Sequence, residues 1–197
     1  DGLIYVIDTA LSYISRYYPR SDVDELAIRV ISEASHKQRS GRVGRVGPGV
    51  CYNIFSKAEY EKFIPYTFPP VYTDNICGTL LDFLAKDPQI ISHIDMPFTY
   101  KNKTNNNKLE MLNFSTFLSK FIQPPLEDAV NIYIKKLFVL GALENNGDNK
   151  LVITDLGRAM AAFGLTKPEY AKALICSYNY KCRREMCEFI AFITEQS

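Results

Sequence analysis

The chain has 197 residues, of which 47% are hydrophobic, and its 23 lysines and arginines nearly balance 22 aspartates and glutamates. This composition excludes a generally disordered protein, and the net charge of +1 excludes a basic field over the whole surface, so any nucleic-acid contact must use local patches. The sequence has neither an apolar run of membrane-spanning length nor a secretory signal at its start. We therefore expect an intracellular protein, nuclear or cytoplasmic, without membrane contact.

The first residues predict a strand that is buried on both faces of a mainly parallel sheet. The run from Leu3 to Ile7 is continuously apolar, as in a sheet covered by helices. Because this strand begins without an initiating methionine, we expect the sequence to be a piece of a longer protein. From Leu11 to Ile31, two extended stretches flank a turn-forming Pro-Arg-Ser-Asp segment, which predicts a long β-hairpin that projects from the sheet.

The segment after the hairpin carries a glycine-rich basic motif, QRSGRVGRVGPG, at residues 38–49. We predict a helix that is capped by Ser35 and runs toward Arg45, with Gln38, Arg42 and Arg45 on one face. Glycine inside a helix costs up to about 1 kcal/mol relative to alanine, so the two internal glycines indicate a close approach by a ligand or another backbone. An ordinary solvated basic helix is the alternative, but it does not explain the glycine spacing.

Such a set of side chains suits the hydrolysis of a nucleoside triphosphate. That reaction needs a polar group to orient the attacking water and positive charge to stabilise the phosphoryl oxygens. A glutamine with paired arginines supplies both. The chain's five cysteines lack the paired spacing of a zinc site, and its two histidines, His36 and His93, give little support to a metal site or a histidine-based catalytic pair.

Short elements lead from this motif to a proline-rich boundary. A strand is predicted from Val50 to Phe55, and Ser56 with Glu59 has the spacing of a capping box at the start of a short helix. Prolines at positions 65, 69 and 70 then mark the boundary. A helix follows from Asp74 to Leu84, and the polar, asparagine-rich residues 101–108 are predicted to form a solvated loop.

The second half of the chain predicts helix, hairpin and helix in order, which is a winged-helix pattern. Pro124 and Pro125 open a helix whose apolar stripe is Leu126, Val130, Tyr133 and Leu137. Strands at 142–144 and 151–153 flank an Asn-Gly turn, and Thr154 caps a helix that ends near Gly164. Two further apolar helices are predicted at 170–178 and 184–193.

Two motifs in the correct order give a resemblance to a known family. QRSGRVGRVGPG at 38–49 resembles motif VI of the DEAH-box helicases, and DGLIYVID at 1–8 resembles the end of their motif V. ITDLGR at 153–158 resembles their winged-helix domain, whereas the Asp-Thr-Ala that follows the first strand departs from the family's usual Asp-Pro-Gly turn. The resemblance covers nearly the whole chain except the asparagine-rich insertion.

The resemblance implies an α/β fold followed by helical modules. Residues 1–70 would be the C-terminal part of the second RecA-like parallel-sheet domain with its protruding β-hairpin at 11–31. Residues 71–165 would be a winged helix with an insertion near 100–113, and residues 166–197 would begin the helical-bundle, or ratchet, domain.

Functional roles follow from the same resemblance. Gln38 would position the lytic water, Arg42 and Arg45 would contact the phosphates, and Asp1 would contact the nucleotide sugar. The hairpin would lie where the duplex is parted. Its candidate contacts with bases or phosphates are Tyr17, Tyr18 and Arg20.

The function implied by this resemblance is that of an ATP-dependent RNA helicase that moves along RNA and unwinds duplexes or remodels ribonucleoproteins. It would use ATP and Mg²⁺ and act as a monomer, with a protein activator as a candidate partner and DNA as an alternative nucleic acid. The phosphate-binding loop and the acidic motif that holds magnesium do not occur in these 197 residues, so we expect this segment alone to be inactive and predict no metal ligand in it. The competing hypothesis is a non-catalytic, helicase-like scaffold.

Overall fold

A computed structural model describes residues 2–87, 121–146, 151–165 and 167–195. The chain divides into two compact units, unit 1 with Asp1–Tyr18 and Asp22–Asp74, and unit 2 with Pro19–Ser21 and Asn75–Ser197. The insertion predicted near 100–113 and the glycine of the Asn-Gly turn lie outside the described residues. The division into three domains at 70 and 165 stays a prediction.

The strands of unit 1 form two separate pairs. Strand β1 (Tyr5–Asp8) pairs in parallel with β4 (Val50–Asn53), with Tyr5 opposite Val50. Strand β2 (Leu11–Tyr18) pairs antiparallel with β3 (Val23–Val30), which confirms the predicted hairpin. The connection between the parallel strands contains this whole hairpin.

The prediction that the first strand is buried on both faces is wrong. Leu3, Ile4, Tyr5 and Ile7 are between 52% and 68% exposed. Burial on both faces requires a layer of helices on each side of a sheet, and the described residues of unit 1 do not provide these layers over β1. The ring of Tyr5 lies 6.3 Å from that of Tyr52 on the neighbouring strand, so the two strands share an exposed aromatic pair.

Unit 1 also contains three short helices, α1 (Glu33–Ser40), α2 (Lys57–Tyr60) and α3 (Pro70–Thr73). The capping box predicted for α2 is confirmed, because Ser56 Oγ accepts from the Glu59 amide at 3.2 Å and Glu59 Oε2 accepts from the Ser56 amide at 2.6 Å. The apolar core of this unit is small. It consists of Ala10, Ile31 and Phe63, with Phe55 and Tyr60 packed against them.

Unit 2 is built from five helices and one antiparallel strand pair among the residues that the structure describes. These elements are α4 (Cys77–Lys86), α5 (Glu127–Val139), β5 (Leu143–Asn145), β6 (Leu151–Ile153), α6 (Asp155–Ala162), α7 (Pro168–Asn179) and α8 (Arg183–Glu195). Each predicted element of this part is present, with ends displaced by at most three residues. None of the described helices is long and apolar enough to cross a membrane.

The apolar stripe predicted on α5 is confirmed except at its first position. Val130, Tyr133 and Leu137 are at most 2% exposed, but Leu126 is 60% exposed. Leu126 lies before the first turn of the helix, in extended conformation, so its side chain does not continue the helical stripe. Ile134, which is not part of the predicted stripe, is also buried, with 1% of its side chain exposed.

The first turn of α6 is fixed against the strand pair by Thr154 and Gly157. The Thr154 hydroxyl donates to the Gly141 carbonyl at 2.7 Å and accepts from the Gly157 amide at 2.9 Å, which confirms the predicted cap. A Cβ at Gly157 would clash with the carbonyl oxygen of Ala142 and lie 2.9 Å from Ile153 Cγ1. The helix therefore approaches the strands closely only because position 157 lacks a side chain.

Candidate functional site

The motif at 38–49 does not form the single helix that the sequence predicted. Helix α1 is capped by Ser32, not Ser35, and it ends at Ser40. Gln38 is exposed in its last turn, whereas Arg42 and Arg45 lie in the turns beyond Gly41. These three side chains therefore belong to a helix end and the loop that follows, and they do not share one helical face.

Glycines lie where α1 ends and where the following loop turns. Gly41 forms the C-cap, and two tight backbone bonds follow, from the Arg42 amide to the Arg39 carbonyl at 3.1 Å and from the Val43 amide to the Ser40 carbonyl at 3.3 Å. Gly44 then adopts a φ of 79°, which side-chain-bearing residues rarely adopt. A Cβ at Gly41 would lie 3.1 Å from the Lys37 carbonyl oxygen and one at Gly44 would meet no described atom within 4 Å, so the closest approach in the motif is at Gly49.

Gly49 joins the end of the motif to the first strand. A Cβ at this position would lie 2.6 Å from Val43 Cβ, 2.9 Å from the Gly44 nitrogen and 3.1 Å from the Ile4 carbonyl oxygen. The loop thus folds back on itself beside β1, and no larger residue fits at this point. The glycines position the loop that carries the two arginines.

The loop presents Arg42 and Arg45 to solvent. Arg45 Nε donates to the Gly41 carbonyl at 3.3 Å, which holds the base of its guanidinium against the helix end. Among the described residues, neither arginine pairs with a carboxylate. Two unneutralised guanidinium groups beside an exposed amide fit a polyanionic ligand such as a triphosphate.

A buried carboxylate at the end of β1 receives several hydrogen bonds. Asp8, at the end of β1, is 1% exposed. Its Oδ2 lies 2.9 Å from His36 Nδ1, and its Oδ1 accepts from Arg39 Nη1 at 3.0 Å and from the Ala10 amide at 2.9 Å. Arg39 Nη1 also donates to the Leu11 carbonyl at 3.1 Å.

This environment keeps Asp8 ionised. Burial raises the pKa of the carboxyl, but hydrogen bonds from His36, the Ala10 amide and Arg39, together with the charge of Arg39, lower it further than burial raises it. The net pKa lies below the ordinary value. The effect reaches β4, where burial and the negative charge of Asp8 raise the pKa of the Cys51 thiol.

His36 is also packed between aromatic rings. Its ring lies edge-on to Phe55, with centroids 5.3 Å apart, and to Tyr60, with centroids 5.4 Å apart. No local sequence pattern selects Asp8, His36 and Arg39 as a group, because the aspartate is 28 residues away from the histidine. The available signal was a carboxylate at the end of an apolar strand, followed along the chain by a helix with basic residues.

The hairpin residues differ in their accessibility. Tyr17 is 4% exposed and its hydroxyl donates to Asp22 Oδ1 at 2.6 Å, so its side chain is not accessible in this structure, and its contact with nucleic acid stays a prediction. The Tyr18 hydroxyl donates to Glu25 Oε2 at 3.0 Å, but the ring remains at the surface. Arg20 lies 3.4 Å from Asp128, and both side chains are 82% exposed.

A salt bridge as exposed as that of Arg20 contributes little and leaves the arginine available to other anions. Asp1, the predicted contact with the nucleotide sugar, lies outside the described residues. Of the predicted site residues, Gln38, Arg42, Arg45, Tyr18 and Arg20 thus have accessible side chains.

Comparison with known proteins places this geometry in a family. Residues 136–165 match the winged-helix model of the helicase associated domain (HA2). The ATP-dependent RNA helicase DHX33 of Mus musculus is 31% identical over 196 residues, which cover all of this chain and 24% of that protein, and the Homo sapiens protein matches to the same extent. The chain belongs to the DEAH-box helicases.

Other members of the DEAH-box family agree with this assignment. The pre-mRNA-splicing factor ATP-dependent RNA helicase prp22 of Schizosaccharomyces pombe is 30% identical over 195 residues, which cover 98% of this chain and 14% of that protein. A crystal structure of the Escherichia coli DEAH/RHA helicase HrpB superposes with a TM-score of 0.63 and 25% identity. The match covers 89% of this chain and 18% of the HrpB chain. The chain spans about a quarter of the length of the DHX33 relatives.

Proposed function

We propose that the protein containing this chain is an ATP-dependent RNA helicase, and that the loop after α1 supplies the arginines of its ATP site. The observation that carries this proposal is the pair of exposed guanidinium groups of Arg42 and Arg45 on a glycine-shaped loop. The relatives that match the chain over its whole length are named as ATP-dependent RNA helicases, which supports ATP and RNA as the ligands.

The proposed roles follow from the chemistry of these side chains. Gln38, exposed at the end of α1, would orient the attacking water through its amide. Arg42 and Arg45 would stabilise the charge that develops on the phosphoryl oxygens. Asp1 would contact the nucleotide sugar. Magnesium, held by residues outside this chain, would neutralise phosphate charge.

The proposed function also assigns a domain to each of three segments of the chain. We propose that residues 1–70 are the C-terminal part of a RecA-like domain, because the parallel pair of β1 and β4 encloses a connection that carries both the hairpin and the arginine loop. Residues 71–165 would form the winged helix and residues 166–197 the start of the ratchet domain. Tyr18 and Arg20 would contact RNA. We further propose a monomer, with a protein activator as a candidate partner.

The test is ATP turnover by the full-length protein, with and without single-stranded RNA, for wild type, Arg42→Ala and Arg45→Ala. Each arginine variant should lose at least about 100-fold in kcat, because arginines that stabilise the transferred phosphoryl group contribute roughly 10³- to 10⁵-fold. The matched control is Lys37→Ala, which removes a positive charge from α1, the helix that precedes the arginine loop. Lys37 is exposed, and its ion pair among the described residues is with Glu33 at 3.5 Å, so its loss should leave turnover unchanged.

Other outcomes select other functions. A wild-type protein that binds RNA but hydrolyses no ATP would favour the non-catalytic scaffold. Stimulation by single-stranded DNA that equals or exceeds stimulation by RNA would favour a DNA-directed helicase. Arginine variants as active as wild type would refute the assignment of the loop.

A further inference from the structure

Asp8 joins three elements of unit 1, of which the proposed function uses two. It is the last residue of β1, and it accepts hydrogen bonds from His36 and Arg39 on α1. It also accepts a hydrogen bond from the Ala10 amide at the base of the hairpin. Arg39 extends this connection, because its Nη1 also donates to the carbonyl of Leu11, the first residue of β2. We call Asp8, His36 and Arg39 the polar hub.

Both ends of the hairpin meet at this hub. The Ala10 carbonyl accepts from the Ile31 amide at 2.9 Å, so the residue before β2 is bonded to the residue after β3. Ile31 is followed at once by Ser32, whose hydroxyl caps α1 by accepting from the Ser35 amide at 3.2 Å. The hairpin therefore leads directly into the helix that carries Gln38.

The hub has properties of a device that fixes position. Burying a carboxylate is unfavourable unless it is fully paired, and a well-packed apolar group is often at least as stabilising. Ala10 is held at a φ of 58°, a left-handed conformation that is strained for alanine and persists only where its surroundings impose it. Ala10 is 3% exposed and Asp8 is 1% exposed, so solvent cannot replace these bonds.

Resting on the proposed function, we infer that Asp8, His36 and Arg39 are positioning residues that hold the base of the hairpin and the arginine loop in one fixed arrangement. The hub touches neither ATP nor RNA in this assignment. It makes the position of Arg42 and Arg45 depend on the position of the hairpin. Its loss should therefore reduce RNA-stimulated ATP hydrolysis while RNA binding itself persists.

The sharpest test uses two substitutions of His36 that separate its hydrogen bond from its packing. His36→Asn keeps an N–H donor close to the place of Nδ1 but removes the ring. His36→Phe keeps a ring against Phe55 and Tyr60 but has no donor for Asp8. A positioning role predicts that the asparagine variant keeps turnover within about threefold and the phenylalanine variant loses about 10- to 100-fold in kcat, the range expected from a misplacement near 1 Å.

A purely structural role in the aromatic cluster predicts the reverse order, with His36→Phe active and His36→Asn impaired. That order would overturn the inference. The KM for ATP should stay within about threefold of wild type in the impaired variant, because the lost interaction is one of the transition state and not of ground-state binding.

Arg39→Lys provides a second, independent variant should His36→Phe fail to fold. Lysine keeps the charge but lacks the planar guanidinium, whose Nη1 donates both to Asp8 Oδ1 and to the Leu11 carbonyl in a fixed geometry. We expect about a tenfold loss of RNA-stimulated kcat. Lys37→Ala, on the neighbouring exposed position of the same helix, serves as the control and should behave as wild type. Equal kcat in Arg39→Lys and Lys37→Ala would contradict the inference.

Hydrogen exchange in the full-length protein gives a readout that does not depend on activity. The amides of Ala10 and Ile31 should exchange at least about tenfold faster in His36→Phe than in wild type or His36→Asn, because the hub no longer holds the base of the hairpin. An inactive wild type would refute the proposed function alone. Hydrogen exchange of the Ala10 and Ile31 amides would then still test whether the hub holds the base of the hairpin. Equal protection of these amides in all variants would overturn the inference.

Discussion

The two units of the chain differ in the kind of contact that stabilises each of them internally. Unit 2 has an apolar core in which side chains from four helices and two strands are almost completely buried. These residues include Leu81, Leu84, Val130, Tyr133, Ile134, Leu137, Leu143, Leu151, Met160 and Ala171. The core cluster among the described residues of unit 1 is smaller, with Ala10, Ile31 and Phe63, and this unit also buries the carboxylate of Asp8.

The two kinds of contact have different effects: apolar burial raises stability, whereas hydrogen bonds to a buried charge define the positions of atoms. Apolar packing is largely non-directional and scales with the area removed from water, so unit 2 gains stability from it. Hydrogen bonds to a buried charge are directional and constrain the distance between the atoms they join, so unit 1 gains a defined arrangement around Asp8. The proposed ATP-site residues lie in the unit whose contacts define geometry.

The largest effect should come from the core of unit 2. Leu137→Ala removes a side chain that is 0% exposed and should lower the free energy of unfolding by about 2–5 kcal/mol, through lost burial and a cavity. Val139→Ala on the same helix removes a side chain that is 72% exposed, and we expect a change within about 0.5 kcal/mol. Hydrogen exchange of the α5 amides in the full-length protein measures both. Similar values for the two variants would remove the distinction between the units.

A smaller effect, with a pH dependence, should come from the hub of unit 1. Asp8→Asn leaves His36 and Arg39 without their anion and should cost about 1–3 kcal/mol near neutral pH. The folded pKa of Asp8 is lowered from 3.8, so its stabilisation is complete above that value and is lost as pH falls through the folded pKa. The difference between wild type and variant should therefore shrink in acid.

Protection of the Ala10 and Ile31 amides, followed from about pH 6 to about pH 3, measures this hub effect after correction for intrinsic exchange. Glu25 and Glu59 also have lowered pKa values, through hydrogen bonds from Tyr18 and Arg29 to Glu25 and from Ser56 to Glu59, but both are solvated and should contribute little. A pH-independent difference between wild type and Asp8→Asn would show that the carboxylate charge is not what stabilises the hub.

The smallest effect should come from the local cap of α2. Ser56→Ala removes the acceptor for the Glu59 amide and should cost about 1 kcal/mol, confined to the short helix. Glu59→Gln keeps an acceptor for the Ser56 amide and should cost less than half as much. Exchange of the α2 amides distinguishes the two. An effect of Ser56→Ala that spreads to Ala10 and Ile31 would mean that unit 1 is more cooperative than its sparse core suggests.

The sequence predicts the caps of α2 and α6 correctly because their signals lie within one turn of the chain. The caps of α2 and α6 depend on Ser56 with Glu59 and on Thr154 with Gly157, pairs that are three residues apart. The cap of α1 was misplaced because Ser32 and Ser35 are equally suitable side chains. The choice depends on the hairpin, which ends at Val30 and places Ile31 in the core just before Ser32.

The geometry of the site could not be read in this way. Gln38, Arg42 and Arg45 were recognised by residue type, but their arrangement depends on Gly44 and Gly49, which end the helical path and fold the loop against β1. The burial of Tyr17 depends on tertiary contacts, which no local sequence pattern predicts. Asp8 and Arg39 are 31 residues apart, and only the folded connection between β1 and β4 brings them together.

The parallel pairing of β1 with β4 has a consequence for how this region can vary between proteins. Parallel neighbours require a long crossover, and here residues 9–49 form it, with both ends fixed by the register from Tyr5 opposite Val50 to Asp8 opposite Asn53. Lengthening or shortening the hairpin beyond its base changes neither that register nor the helix. The hairpin, which is the proposed contact with nucleic acid, can therefore be exchanged in evolution or by engineering while the arginine loop stays in place.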